Sequence, residues 1–371
     1  MRNSLNACLA FLSLNLGFAA APAFAQESPI TPDSAVAHPS EDAQKKKVNF
    51  VVAPIPIVNP TIGNGLAVAG MMMYKHDPDS PVSITGVAAG YTDSGSWGVG
   101  AMQDSKFAAD RWRILGGGAI ALAKYELYVP EISPDFHFST EQKLSGGMLQ
   151  VLRRVAPHLY AGLRYMRATM RFPTPEEAQD LIPEEGIDYD MGGLGLVAEW
   201  DSRNHSFQPN GGIDVVFRSN FSRENFGADL PYERYTLAYE QYRPGFRKQD
   251  VIAWRVSLCG TSSDTPFFER CQFGSSNDLR GYAVGRYYDD AMYAAQIEYR
   301  APLWKRFGAV AFAGAGSVAS SFGDLASADT LASGGVGLRF LASKEQRVNV
   351  SLDYAIGRDE STLYMYIAEA F

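Results

Sequence analysis

Three features of this 371-residue chain carry recognisable chemistry: a cysteine pair, an arginine set between glycine and aromatic residues, and five scattered histidines. Cys259 and Cys271 stand twelve residues apart. In an exported chain such a pair oxidises to a disulfide closing a short loop, worth on the order of 3 kcal/mol in the loop-entropy view. A metal site is not expected, because no CxxC occurs and the nearest histidines, His158 and His205, are distant in sequence. No cofactor motif is present either. The histidines at 38, 76, 137, 158 and 205 fall mostly in a polar leader, turns or loops, and no G-x-S-x-G occurs. No nucleophile, base and acid converge on one wall, so no catalytic residues are expected and the chain does not read as an enzyme. The remaining feature is CQFGSSNDLRGYAVGRYYDD (271–290), with Leu279, Arg280, Gly281 and Tyr282 at its centre. A guanidinium held away from bulk water needs a carboxylate. Gly281 permits a tight backbone, and Tyr282 offers a large packing surface. The acidic stretch 173–188 has carboxylates for cations, but reads better as a solvated loop.

The elements that position these residues are strands. Residues 1–25 read as a secretory signal peptide: Arg2, then an apolar run through Leu9, Phe11, Leu12, Leu14, Leu16 and Phe18, then Ala23-Phe24-Ala25 before Gln26. Residues 26–47 are polar, contain proline and lack aromatics, and read as a disordered periplasmic leader. From 48 to 371 the dominant signal is alternation. Ile213, Val215, Phe217 and Phe221 oppose Asp214, Arg218 and Asn220; Ile252, Trp254, Val256 and Leu258 oppose Arg255 and Ser257; Val348, Val350, Leu352, Tyr354 and Ile356 oppose Asn349, Ser351 and Asp353. Sixteen such segments can be counted, from 48–58 through 111–124 and 140–153 to 361–371. Short polar turns alternate with longer loops, and an even count places both ends on one side. Pro54 and Pro56 interrupt the first segment. The expected fold is therefore all-β: a transmembrane antiparallel β-barrel of about 16 strands in a bacterial outer membrane. The profile of 35 Gly, 19 Tyr and 21 Phe fits a lipid-facing wall with aromatic girdles. The net charge of −8 argues against nucleic acid as a partner.

The order of several motifs resembles the BamA/TamA superfamily of bacterial surface antigen barrels. Leu279-Arg280-Gly281-Tyr282 is similar to the family's [VL]RG[FY] motif, and it falls after the eleventh strand with five to follow. DSRNHSFQPNGG (201–212) resembles the family's D-[ST]-R-x-x-x-x-x-P-x-x-G periplasmic turn; AAQIEYRAPL (294–303) and NPTIGNGLAVAG (59–70) resemble the strand after the loop and the start of short members. The resemblance implies that the long extracellular loop folds back into the lumen. It implies that Arg280 contacts Glu298 on the next strand. The family's second carboxylate position falls here on Gly314, so that contact is expected to be lost. The final strand, with Tyr364, Tyr366 and a terminal Phe371, resembles the C-terminal signal of outer-membrane barrels; Leu363, Met365, Ile367 and Phe371 are expected on one face. The short stretch 26–47 leaves no room for a POTRA domain, so none is expected before the barrel.

Two functional readings follow. One is assembly, insertion or translocation of protein or lipid cargo through a seam between the first and last strands, which Pro54 and Pro56 would weaken. The other is a passive pore or a structural or surface-antigen barrel. Partners under either reading are outer-membrane lipids, the barrel assembly machinery for the chain's own insertion, and protein or lipid cargo.

Overall fold

The computed structural model describes residues 48–59, 63–128, 137–173, 187–266, 269–275, 277–282, 286–344, 346–358 and 360–371. Residues 1–25 and 26–47, expected as signal peptide and leader, and most of the acidic stretch 173–188 lie outside the described residues. The chain forms a sixteen-stranded antiparallel sheet in simple sequence order. Its strands are β1 (Asn49–Asn59), β2 (Gly63–Tyr74), β3 (Ser83–Thr92), β4 (Trp97–Phe107), β5 (Trp112–Tyr128), β6 (His137–Ala156), β7 (Leu159–Phe172) and β8 (Ile187–Asp201). They continue with β9 (Gly212–Ser222), β10 (Tyr232–Pro244), β11 (Val251–Thr261), β12 (Ala291–Trp304), β13 (Phe307–Ala319), β14 (Leu331–Ser343), β15 (Val348–Ile356) and β16 (Ser361–Ile367). A two-residue hairpin pairs Cys271–Gln272 with Tyr288–Asp289 inside the β11–β12 loop. It is an all-β, nearly closed barrel.

Alternation explains both faces. Leu66, Val68, Val87, Val99, Leu149, Leu163, Leu196, Ile297, Leu338 and Leu363 are exposed, whereas Asp104, Lys106, Arg113, Gln150, Glu199, Asp214 and Arg300 are buried. This reverses the soluble arrangement: the apolar face meets lipid and the polar face lines the lumen. From β1 through to β16 each strand pairs by backbone with the next, as hydrocarbon demands. Trp97, Trp112, Trp200 and Trp304 are exposed close to strand ends, where an indole can serve both apolar and wet surroundings. Short turns lie at the end shared by the termini, including the two-residue turns Pro157–His158 and Lys305–Arg306.

Three details differ from the sequence expectation. β5 and β6 extend well past 111–124 and 140–153, their ladder running on to Tyr128↔His137. β1 is continuous, pairing with β2 from Asn49↔Met73 to Asn59↔Gly63 straight through Pro54 and Pro56. An edge strand tolerates proline because only one of its sides must donate to a ladder. The last strand stops at Ile367, not Phe371. Ala368 adopts a left-handed φ of 78° and its N–H donates to Asn349 O at 2.7 Å, turning the chain inward.

The turn between β8 and β9 also points inward. Arg203 is clamped by Asp201 (Nε to Oδ1, 3.0 Å) and Asp214 (Nη2 to Oδ2, 3.3 Å). Phe207, 3% exposed, leaves the turn and joins Val51, Met73, Ile84, Val348, Ile367 and Ala368. A single turn thus packs against strands from both ends of the sheet. His205 shapes this turn by accepting the N–H groups of Phe207 (3.3 Å) and Gln208 (3.4 Å) at Nδ1. Burial, with the nearby Arg347 charge, lowers its pKa to about 4. Because the folded value lies below the ordinary one near 6.5, this histidine's contribution is complete above pH 6.5 and lost as pH falls through about 4. An NMR titration of the micelle-bound protein should find the His205 imidazole still neutral at pH 5.5; a midpoint near 6.5 contradicts this packing.

Candidate functional site

The site is built where the β11–β12 loop (262–290) re-enters the barrel. Its base is stapled by the Cys259–Cys271 disulfide, with Cα atoms 5.6 Å apart, so the loop leaves β11 already turned inward. Phe273, Leu279 and Tyr282 pack with both cysteines, Met292, Ala294 and Leu331 in one apolar cluster. Leu279, Arg280 and Tyr282 are 0%, 0% and 1% exposed. Tyr282 donates to Ala332 O at 2.6 Å and accepts the Arg358 N–H at 3.2 Å. Gly281 holds φ at 107°, and a Cβ there would sit 3.0 Å from Gly357 N. Its N–H donates to the Tyr364 hydroxyl at 3.0 Å, and that hydroxyl donates to Gly274 O at 3.1 Å.

Arg280 is the centre. Its Nη2 donates to Glu298 Oε1, its Nη1 to Asp353 Oδ2 at 2.5 Å, and its Nε to Gln296 Oε1 at 3.2 Å. Its guanidinium lies 3.5 Å above the Phe312 ring centroid. Glu298 and Asp353 are both fully buried. The loss of a second carboxylate, expected from Gly314, is corrected here. Gly314 is the floor for Leu279, whose Cδ1 would be 2.8 Å from a Cβ at that position. The second carboxylate comes from β15 instead, at Asp353, and Gly337 on β14 makes room for it.

The contacts continue in a closed circuit. Glu298 accepts from Arg300 Nε at 2.8 Å; Arg300 lies 3.8 Å from Glu369; Glu369 accepts from Arg339 Nε at 2.7 Å; Arg339 donates to Asp353. Tyr366 also donates to Asp353. Tyr364 and Tyr366 therefore both face the lumen and hold the loop and its counter-charge. Phe371 is not on the lipid face with Leu363. It is 3% exposed, packs with Tyr242, Val251 and Ala253, and its carbonyl accepts from Arg300 Nη2 at 2.6 Å. Ile367 is likewise tucked inward. Sequence reasoning missed Asp353, Arg300, Arg339 and Glu369 as one unit, although alternation places Asp353 on the polar face of its strand.

The seam is the second part of the site. Among the described residues no backbone ladder joins β1 to β16. β16 pairs with β15 only from Ile356↔Ser361 to Val350↔Ile367, while β1 runs eleven residues from Asn49.

The sequence pattern of the Omp85 superfamily domain matches residues 104–361. The chain belongs to the Omp85 superfamily. It is accordingly an outer-membrane protein. The fold is similar to BamA from Haemophilus ducreyi lacking POTRA domains 1–3, at 17% identity and a TM-score of 0.55, covering 92% of this chain and 74% of that one. It is also similar to CdiB from Escherichia coli, at 12% identity and a TM-score of 0.64, covering 93% and 67%. CdiB from Acinetobacter baumannii gives 10% identity and a TM-score of 0.56, covering 92% and 64%. A search of curated proteins finds no significant match.

Within this Omp85 barrel, removing one partner of the buried Arg280 pairs strands the others and costs on the order of 3–5 kcal/mol. Glu298→Lys should release the loop, so that trypsin cleaves intact folded barrels at Arg270 or Arg286. Glu298→Gln, which keeps one acceptor, should do so more slowly. Unchanged loop protection in Glu298→Lys would show that the pair does not hold the loop.

Proposed function

We propose that this barrel inserts or translocates strand-forming protein or lipid cargo at the seam between β1 and β16. The observation that carries this reading is the open seam: after Ile367 the chain turns into the lumen, and among the described residues β1 has no ladder partner on that side. An unpaired strand edge is a template for another strand. Pro54 and Pro56 bring no N–H groups, which keeps that edge weak. Membership of the Omp85 superfamily and the likeness to BamA support the same reading. The partners are then outer-membrane lipids, the barrel assembly machinery for insertion of the chain itself, and the cargo. The roles proposed for Leu279, Arg280, Gly281, Tyr282 and Glu298 are structural: they hold the loop in the lumen while the seam acts. For Tyr364, Tyr366 and Phe371 the proposed role is to close the barrel during its own assembly.

A cysteine in 51–53 paired with one in 365–367 tests the seam. In vesicles carrying an unfolded outer-membrane barrel as cargo, the oxidised protein should insert cargo no faster than empty vesicles, and reductant should restore the rate. Equal rates in both states would remove the seam from the mechanism. The alternative, a passive pore, is read in planar bilayers. The plugged-barrel reading expects low conductance from the full chain and a large rise on deleting 275–286. Steady large conductance from the full chain favours the pore.

A further inference from the structure

The lumen wall carries a group of positive charges that the circuit around Arg280 does not use. Arg164 on β7 lies opposite Gln150 on β6 and Gly195 on β8. Gly195 has no side chain to separate it from β9. Arg218 on β9 lies opposite Val197 and Thr236. Arg234 on β10 lies opposite Asn220, two residues along the face that carries Arg218. The positive charges of Arg218 and Arg234 act on Arg164, and a carboxylate that opposes them there is Glu269. Glu269 belongs to the inward loop and meets Arg234, Nη1 to Oε2, at 3.4 Å.

Lower in the same lumen the balance is different. Arg113 meets Asp110, Glu199 and Asp201, and Arg203 meets Asp201, Asp214 and Glu240. In the upper group Arg218 also feels the carboxylates of Glu199, Asp214 and Glu240, but among the described residues the Nε atoms of Arg164 and Arg234 are buried and have no hydrogen-bond partner. A charged donor withdrawn from water without an acceptor is costly, and neighbouring like charges add repulsion. Both costs vanish when a polyvalent oxyanion enters. Guanidinium groups are planar forks that match phosphate oxygens two at a time.

We propose that Arg164, Arg218 and Arg234 form a lumenal site for a phosphate-class oxyanion, with Glu269 the loop carboxylate that such an anion displaces from Arg234. The site lies beside the loop and not at the seam, so it stands or falls independently of the insertion reading. A lipid headgroup and a soluble phosphate compound share this chemistry.

The test is calorimetric titration of pyrophosphate into the full-length chain in micelles, with heat-modifiable gel mobility confirming that each variant is folded. Saturable binding is expected. Arg164→Gln and Arg234→Gln should each weaken it by about tenfold, the loss for one charge-assisted contact. Glu269→Gln should strengthen it, because the competing carboxylate is gone; this opposite sign does not arise from damage to the fold. Competition by a short-chain phosphatidic acid assigns the site to a lipid headgroup, and lack of competition assigns it to a soluble anion. Absence of saturable binding in both the native chain and Glu269→Gln overturns the proposal. So does unchanged affinity in the folded arginine variants.

Discussion

The inward loop and the segment after β16 are both tied to one closed circuit of alternating charge: Arg280, Glu298, Arg300, Glu369, Arg339 and Asp353, returning to Arg280. Its members come from the inward loop, β12, β14, β15 and the segment after β16. The circuit is neutral, which is what allows it to exist with almost no exposure. Buried ion pairs contribute little net stability compared with apolar side chains of the same shape, whereas breaking one is expensive. The circuit therefore acts on specificity. The loop cannot leave the lumen without taking Arg280 away from both Glu298 and Asp353. The segment after Ile367 cannot rejoin the β16 ladder without taking Glu369 away from Arg300 and Arg339. Two chain segments with no direct sequence relation are thus coupled through shared carboxylates.

The wall of the barrel was legible in the sequence because the information is local. Alternation tells which side chain faces lipid, and each strand reports it separately, so the count of sixteen follows from the pattern alone. The site was legible only in part. Arg280 stands in a compact motif, and Glu298 follows within the next strand. Asp353 is 73 residues from Arg280 and looks like any other polar residue of an alternating strand. The usable signal was its neighbour: Gly337 faces Asp353 across β14 and β15 and has room for nothing larger. Phe371 and Phe207 were misplaced or overlooked for a related reason. Alternation assigns a terminal aromatic to lipid, and an apolar residue in a turn reads as incidental. In both places tertiary packing overrides the local pattern: at Ala368 through a left-handed turn, and at Phe207 through apolar partners on distant strands.

The same packing bears on how the barrel can open. An unpaired N–H or C=O facing hydrocarbon costs several kcal/mol, so an incomplete ladder needs cover. On the lumen side of lower β1 the strand edge is packed by side chains: Ile367, Ala368 and Phe207 against Val51 and Ala53. Apolar contacts of this kind are worth about 1.5–3 kcal/mol for a large side chain. A route through the middle of the lumen would instead break the charge circuit, at on the order of 3–5 kcal/mol for each stranded partner. It would also lose the Leu279 and Tyr282 packing. The proposed seam is thus held by apolar side-chain packing, whereas the plug is held by the charge circuit together with apolar packing.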